Sequence, residues 1–399
     1  MAGYIVIPVG DVPFLGVSLS APVFLFIFLQ LFLGQGLRDV GRYRLWLSLA
    51  GVFWLGLAFS LASNTFTGVS PVDGSNWKLL IQFAYWLLVF MTTAYIISQA
   101  AIGPQLVKVL RFMLVLLAAF RWGEAVLFGK IGAWTKVLVL TQNSYGIMFS
   151  TFAPLLLVPL VTPAERRWPA ISMAAFVWGA ALINGSRGSW ISIAFGMTVF
   201  FLLYLRVNPK KVGSLFWIVL LIGFLGAAAL LAPESWTEPV RARYDTMQDL
   251  DHDKSFQIRQ VMIQKGLKMF YEAPLMGAGL GNFTRVAVAL EHEFMDISKP
   301  GWQRKSAHNS YIALLAETGL AGCLPFALLL FCLIFQGYRA VVQLLRQRAV
   351  WPLGLYVGFL GMSLHLWALH GLYGTGTWFM YGAVAGITEI FNHNKVSFN

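Results

Sequence analysis

The sequence predicts an all-α polytopic membrane protein of about 11–12 transmembrane helices with a large, mostly helical loop on one face. Three observations predict it. Of 399 residues, 58% are hydrophobic and only 12% charged, against about 25% charged in soluble domains, so most of the surface must face lipid. The apolar residues fall in runs close to the 20 or so that a helix needs to cross roughly 30 Å of hydrocarbon. The links between the runs alternate between basic and non-basic. Helices are expected because an open sheet edge in lipid leaves backbone groups unpaired.

The first run is Phe14–Leu33, and the Tyr4–Val12 segment before it reads as either a short twelfth pass or an entry helix. Leu45–Ser63, Leu79–Ser98, Leu106–Trp122 and Val137–Val161 follow, then Pro169–Ile183, Trp190–Leu205 and Val212–Ala232. Beyond a long hydrophilic loop come Tyr311–Phe335, Trp351–Leu369 and Leu372–Phe391. The chain thus divides into an N-terminal bundle (1–232), a loop (233–307) and C-terminal helices (308–399). The 15 Trp and 13 Tyr suit side chains at the membrane–water boundary. Cys323 and Cys332 share one run and fit packing, not a disulfide framework or a zinc site.

One set of links carries Arg38, Arg42 and Arg44; Lys108 and Arg111; Arg166 and Arg167; Arg206, Lys210 and Lys211; and Arg339, Arg346 and Arg348, with Lys395 in the tail. The other set is Asn64–Trp77, Gly123–Lys136, the turn around Arg187, the loop Pro233–Ala307 and a tight turn at His370–Gly371. The positive-inside rule puts the first set in the cytoplasm and the second outside. The net charge of +12 is scattered singly through these links. A nucleic-acid binder would cluster it on one face, so membrane lipids and anionic lipid-linked substrates are the expected partners. No repeat and no pair of inverted halves is visible, which argues against a secondary transporter.

Chemistry has three candidate places. In Asn184-Gly185-Ser186-Arg187-Gly188-Ser189-Trp190 the turn is so short that Arg187 must stand at the outer boundary, as a site residue or as a snorkelling anchor. In the stretch from Phe256 to Phe270, a helical period gathers Phe256, Ile258, Met262, Ile263, Leu267, Met269 and Phe270 on one side, with Gln257, Lys265 and Lys268 opposite and Val261 the exception. Arg259 falls within the apolar arc, where a guanidinium needs an anion, from a ligand or an internal carboxylate. In Ala307-His308-Asn309-Ser310-Tyr311 the loop meets the next span, placing His308 at the depth of Arg187. A histidine there suits a proton acceptor, although packing is the commoner use. Glu317 lies deeper on the same helix, as a site residue or a bundle ion pair.

Weaker features remain. Asp249, Asp251 and Asp253 cluster but lack the glycine and terminal glutamate of a calcium loop, so no metal or other cofactor is expected. His365 and His370 read as structural. The glycine-rich Pro274–Phe283 stretch follows no strand and reads as a flexible joint, or as amides approaching a phosphate.

In order and topology, Ser186-Arg187-Gly188, the stretch from Ile258-Arg259 to Phe283, and His308-Asn309-Ser310-Tyr311 leading to Glu317 resemble the bacterial O-antigen ligase and polymerase superfamily. The resemblance is strongest over residues 140–335. Val261 and Met262 stand where the superfamily often has an aromatic. The resemblance implies a GT-C-like glycosyltransferase in the bacterial inner membrane, with its site facing the periplasm. The donor would be a glycan on undecaprenyl diphosphate and the acceptor lipid A–core, as in an O-antigen ligase. A polymerase, a protein O-oligosaccharyltransferase and a flippase of lipid-linked glycans stay open as alternatives. Arg187 and Arg259 would bind the diphosphate and His308 would be the catalytic base, with Ser186, Asn309, Tyr311 and Glu317 in support.

Overall fold

The computed structural model describes residues 40–67, 72–99, 101–128, 141–162, 165–214, 234–245, 248, 253–294 and 305–396. Tyr4–Val12, Phe14–Leu33 and nearly all of Val212–Ala232 lie outside them. Among the described residues all regular structure is helical and there is no strand, so the protein is an all-α polytopic membrane protein.

Helix α1 (Arg44–Thr67) and α2 (Gly74–Ser98) come first, the latter begun by Asp73 in a capping box with Asn76. Then follow α3 (Gly103–Phe128) and α4 (Gln142–Phe152). The chain beyond α4 tightens into a 3-10 segment, Ala153–Leu157, and a last turn, Val158–Val161. Pro154 and Pro159 lack the N–H that a regular helix needs there. Helix α5 (Arg167–Ile183) turns at once into α6 (Arg187–Val207). The hydrophilic loop holds α7 (Glu234–Asp245), α8 (Lys254–Glu272) and the short α9 (Phe283–Ala289). The chain closes with α10 (Ser310–Arg346), α11 (Trp351–His365) and α12 (Thr375–Val396). Among the described residues six helical stretches are long and apolar enough to cross a membrane: α1, α2, α3, α4 with its continuation to Val161, α6 and α10.

Apolar side chains drive little association between helices already in lipid, so close packing must hold them together. Glycines provide it. A Cβ on Gly56 of α1 would lie 2.1 Å from Ala321 O of α10, and one on Gly382 of α12 would lie 2.3 Å from Phe90 O of α2. Between these four helices Phe53, Phe83, Phe326, Trp378 and Tyr381 form a buried aromatic cluster. A second group packs α4, α6 and α11 together, with Gly358 of α11 against Thr151 O, and α3 against α5. Leu55, Phe112, Leu202 and Phe331 are exposed, as lipid-facing side chains should be.

Three expectations change. The link around His370 is no tight turn: α11 ends at His365 and α12 starts at Thr375. Ser310, at the head of α10, knots that link. Its Oγ donates to Leu369 O and accepts from Gly371 N, and its N–H donates to Leu366 O. Lys265 is not on an outward face but completely buried. Helix α8 is covered on two sides, by α10 and by α9, so it buries Val261, Met262 and Met269 and also Lys265, which donates to Ala287 O and pairs with Glu291.

The third is the Pro274–Phe283 stretch, which is a wedge and not a joint. Helix α10 opens at Gly319 (φ 56, ψ −152). Leu320 N and Ala321 N donate instead to Pro274 O (2.9 Å) and Leu275 O (3.0 Å), and the freed Ala316 O accepts from Ala278 N at 2.8 Å. The loop takes up both freed amides and Ala316 O, and Glu317 O accepts from Ser60 Oγ of α1, so these broken bonds are remade as lipid demands. Ser60, Asn64 and Asn76 bond Met276 O, Gly277 O and Leu280 O. These backbone groups are spent on the fold, so the amide of Ala278 is not offered to a phosphate.

Candidate functional site

Arg187 is placed by a turn with no slack. Gly185 (φ 70) reverses the chain after α5, and Ser186 is the N-cap of α6, without a side-chain cap bond. The turn is fastened from α4 and α3. Gln142 Nε2 donates to Asn184 O (2.8 Å), Asn184 Nδ2 donates to Gln142 O (3.0 Å), and Arg121 Nη2 donates to Ile183 O (3.0 Å). Arg121 is itself held by buried Glu124, which accepts from Tyr145 OH. A cation in the first turn of a helix opposes the helix dipole, so Arg187 needs an anion. It finds one in Asp253, which pairs with its guanidinium.

Asp253 is buried and is the N-cap of α8, accepting from Ser255 N at 3.1 Å. One and a half turns on, Arg259 is half-buried. Burial lowers its pKa, the charge of Arg187 lowers it further, and Asp253 opposes both. Its Nε is buried and makes no hydrogen bond among the described residues. Arg259 thus feels both the Arg187 guanidinium and the Asp253 carboxylate paired with it, and keeps an orphaned donor. Such a place attracts an anion with several oxygens.

His308 stands just before α10 with φ 48, a left-handed conformation uncommon for a histidine and often kept where function needs it. Asn309 supplies the N-cap, accepting from Tyr311 N and Ile312 N. Burial, then the charges of Arg259 and Lys305, push the His308 pKa down to about 4, so the imidazole is neutral at pH 7. His370 is likewise pushed down to about 4, by burial and then by His308.

The predicted residues therefore divide. Arg187, Arg259 and His308 come together electrostatically. Ser186 and Asn309 are caps beside them. Tyr311 OH donates to Ser363 O at 2.6 Å. Glu317 accepts from Tyr373 OH and Phe283 N, fastening the wedge to α10. Among the described residues no group of three His, Cys, Asp or Glu could hold a metal.

Sequence reasoning named Asp253 only as part of an acidic cluster and did not place it against Arg187. An aspartate two residues before Ser255 and ahead of an apolar-periodic run is an N-cap signal, so Asp253 was legible as a cap though not as the partner of Arg187.

Residues 171–327 match the family model described as O-antigen ligase. The match supports membership of the O-antigen ligase family. The matched region runs from α5 into α10 and contains Arg187, Asp253, Arg259 and His308. No curated protein matches the chain.

Proposed function

We propose that the chain transfers a glycan from undecaprenyl diphosphate to a sugar hydroxyl of lipid A–core, at the periplasmic face of the bacterial inner membrane. The observation that carries this reading is the pair Arg187 and Arg259, with the Asp253 carboxylate paired to Arg187 and a neutral His308 beside them. The diphosphate takes the place of Asp253 as counter-ion, and the guanidinium forks stabilise charge that grows as the C1–O bond breaks. His308 accepts the proton of the attacking hydroxyl, and attack opposite the leaving group inverts the anomeric carbon.

The test mixes purified protein with a lipid-linked glycan and lipid A–core and follows the mobility of the core. A glycan-sized shift is expected. Elongation of the lipid-linked glycan alone would assign a polymerase instead, and no product from folded protein that binds donor would overturn the reading. Transfer should persist in EDTA, since the arginines supply the cations. Activity lost on chelation and restored by magnesium or manganese would refute that.

Lysine at Arg187 or Arg259 keeps the charge but loses the fork. Each charged hydrogen bond is worth roughly 1.5–3 kcal/mol. Donor titration of both variants should therefore show a loss of about one to two decades in kcat/KM.

A further inference from the structure

His365 ends α11, and only 3% of it is exposed. Its ring fills a slot between two helix backbones. A Cβ on Gly188 of α6 would lie 2.9 Å from Nε2, and one on Gly146 of α4 would lie 3.4 Å from Cε1. Nδ1 lies 2.9 Å from Ser150 Oγ, and that hydroxyl also donates to Ile147 O at 3.0 Å. A hydroxyl has one proton. The arrangement that makes both contacts sends that proton to Ile147 and has the Nδ1–H of His365 donate to Oγ. Nε2 then carries a bare lone pair. It faces the first turn of α6, where Arg187 stands, and the charge of Arg259 reaches the ring. Among the described residues no hydrogen bond reaches Nε2.

We propose that His365 is a sugar-binding residue: its bare Nε2 accepts a hydrogen bond from a hydroxyl of the donor sugar bonded to the diphosphate. This rests on the reading of the site as one for a lipid-linked glycan. A lone pair repels phosphate oxygens, so the ring does not join the arginines in holding the diphosphate. A hydroxyl is the donor such a nitrogen takes, and the first sugar is the part of the substrate that must lie beside the two guanidinium groups. Ser150 acts through His365 as a positioning residue that locks its tautomer.

The test uses the full chain in lipid nanodiscs with lipid-diphosphate monosaccharides, one intact and the others each lacking a single hydroxyl. His365→Phe keeps the ring in its slot and removes the lone pair. Ser150→Ala keeps the imidazole and releases the tautomer. Both should raise the donor KM about 3- to 10-fold, the size of a neutral hydrogen bond, with kcat nearly unchanged. One deoxy donor should show that same loss with the unaltered protein and no further loss with His365→Phe. An unchanged KM in both variants, or every deoxy donor losing equally in variant and unaltered protein, overturns the proposal. So does an Nε2-protonated His365 in the nitrogen spectrum of 15N-histidine-labelled protein, whatever the kinetics. If the unaltered protein transfers from none of these donors, it is the underlying transferase reading that fails.

Discussion

Replacing His308 with alanine is expected to slow single-turnover transfer by about two to four decades, the usual contribution of a general base, while donor affinity stays close to that of the unaltered protein. In the proposed mechanism Arg187 and Arg259 hold the diphosphate, and the substitution leaves both in place. The pH profile should carry the same signature. A base works in its neutral form, and burial with the neighbouring cations holds His308 neutral down to about pH 4. For free enzyme, kcat/KM should therefore be flat through neutrality and fall only as pH approaches 4. Once the diphosphate is bound, its negative charge favours the imidazolium, so the acid limb of kcat should lie at higher pH than that of kcat/KM. Linkage has the matching sign. The unfolded chain protonates this histidine near 6.5, so its burial costs stability progressively as pH falls from there towards 4. A His308→Ala protein that turns over normally, or that loses donor binding in step with rate, would remove the histidine from its assigned role.

The second large effect is expected far from the arginines, at the opening in α10. Gly319 sits at φ 56, ψ −152, beside the region essentially reserved for glycine, and a Cβ there would lie 2.6 Å from the backbone of Leu275. Gly277 is worse placed, with φ 66 and a Cβ position 2.4 Å from the carbonyl carbon of Glu317. Alanine at either position forces the wedge out of α10 and leaves its remade hydrogen bonds unpaired. Backbone strain alone is worth about 1–3 kcal/mol and each buried polar group left unmade about the same again. Melting in detergent should fall by more than about 5 °C, the scale expected for a loss of several kcal/mol, or folded protein should not be recovered. Gly51→Ala in α1, where a Cβ meets nothing within 4 Å, is the control and should melt as the unaltered protein does or slightly higher. Equal melting of all three would mean that the wedge contributes little.

The spans were legible because lipid imposes a single local requirement. A run such as Leu79–Ser98 must be apolar along its length whatever it packs against, and it is helical in the structure as α2. Arg187 and His308 could be singled out for a related reason, since a short turn and a span boundary mark helix ends without any knowledge of neighbours. The amphipathic reading of α8 went astray at Lys265 because a helical wheel describes one helix against one surface. With α9 folded over its other side, the long lysine stem is buried and its ammonium reaches Ala287 O and Glu291.

By itself, then, the sequence determined the class of protein and the helical runs found among the described residues, because those depend on hydrophobicity and length read locally. Tertiary structure alone decided which carboxylate pairs with Arg187, that the glycine-rich stretch wedges open α10, and that His365 reaches the Arg187 turn. Each of these joins residues far apart in the chain: Arg187 and Asp253, Gly277 and Glu317, Ser150 and His365. No periodicity or spacing records such contacts, because they depend on how close two helix backbones approach, and glycines such as Gly188 permit that approach only once the partner helix is in place.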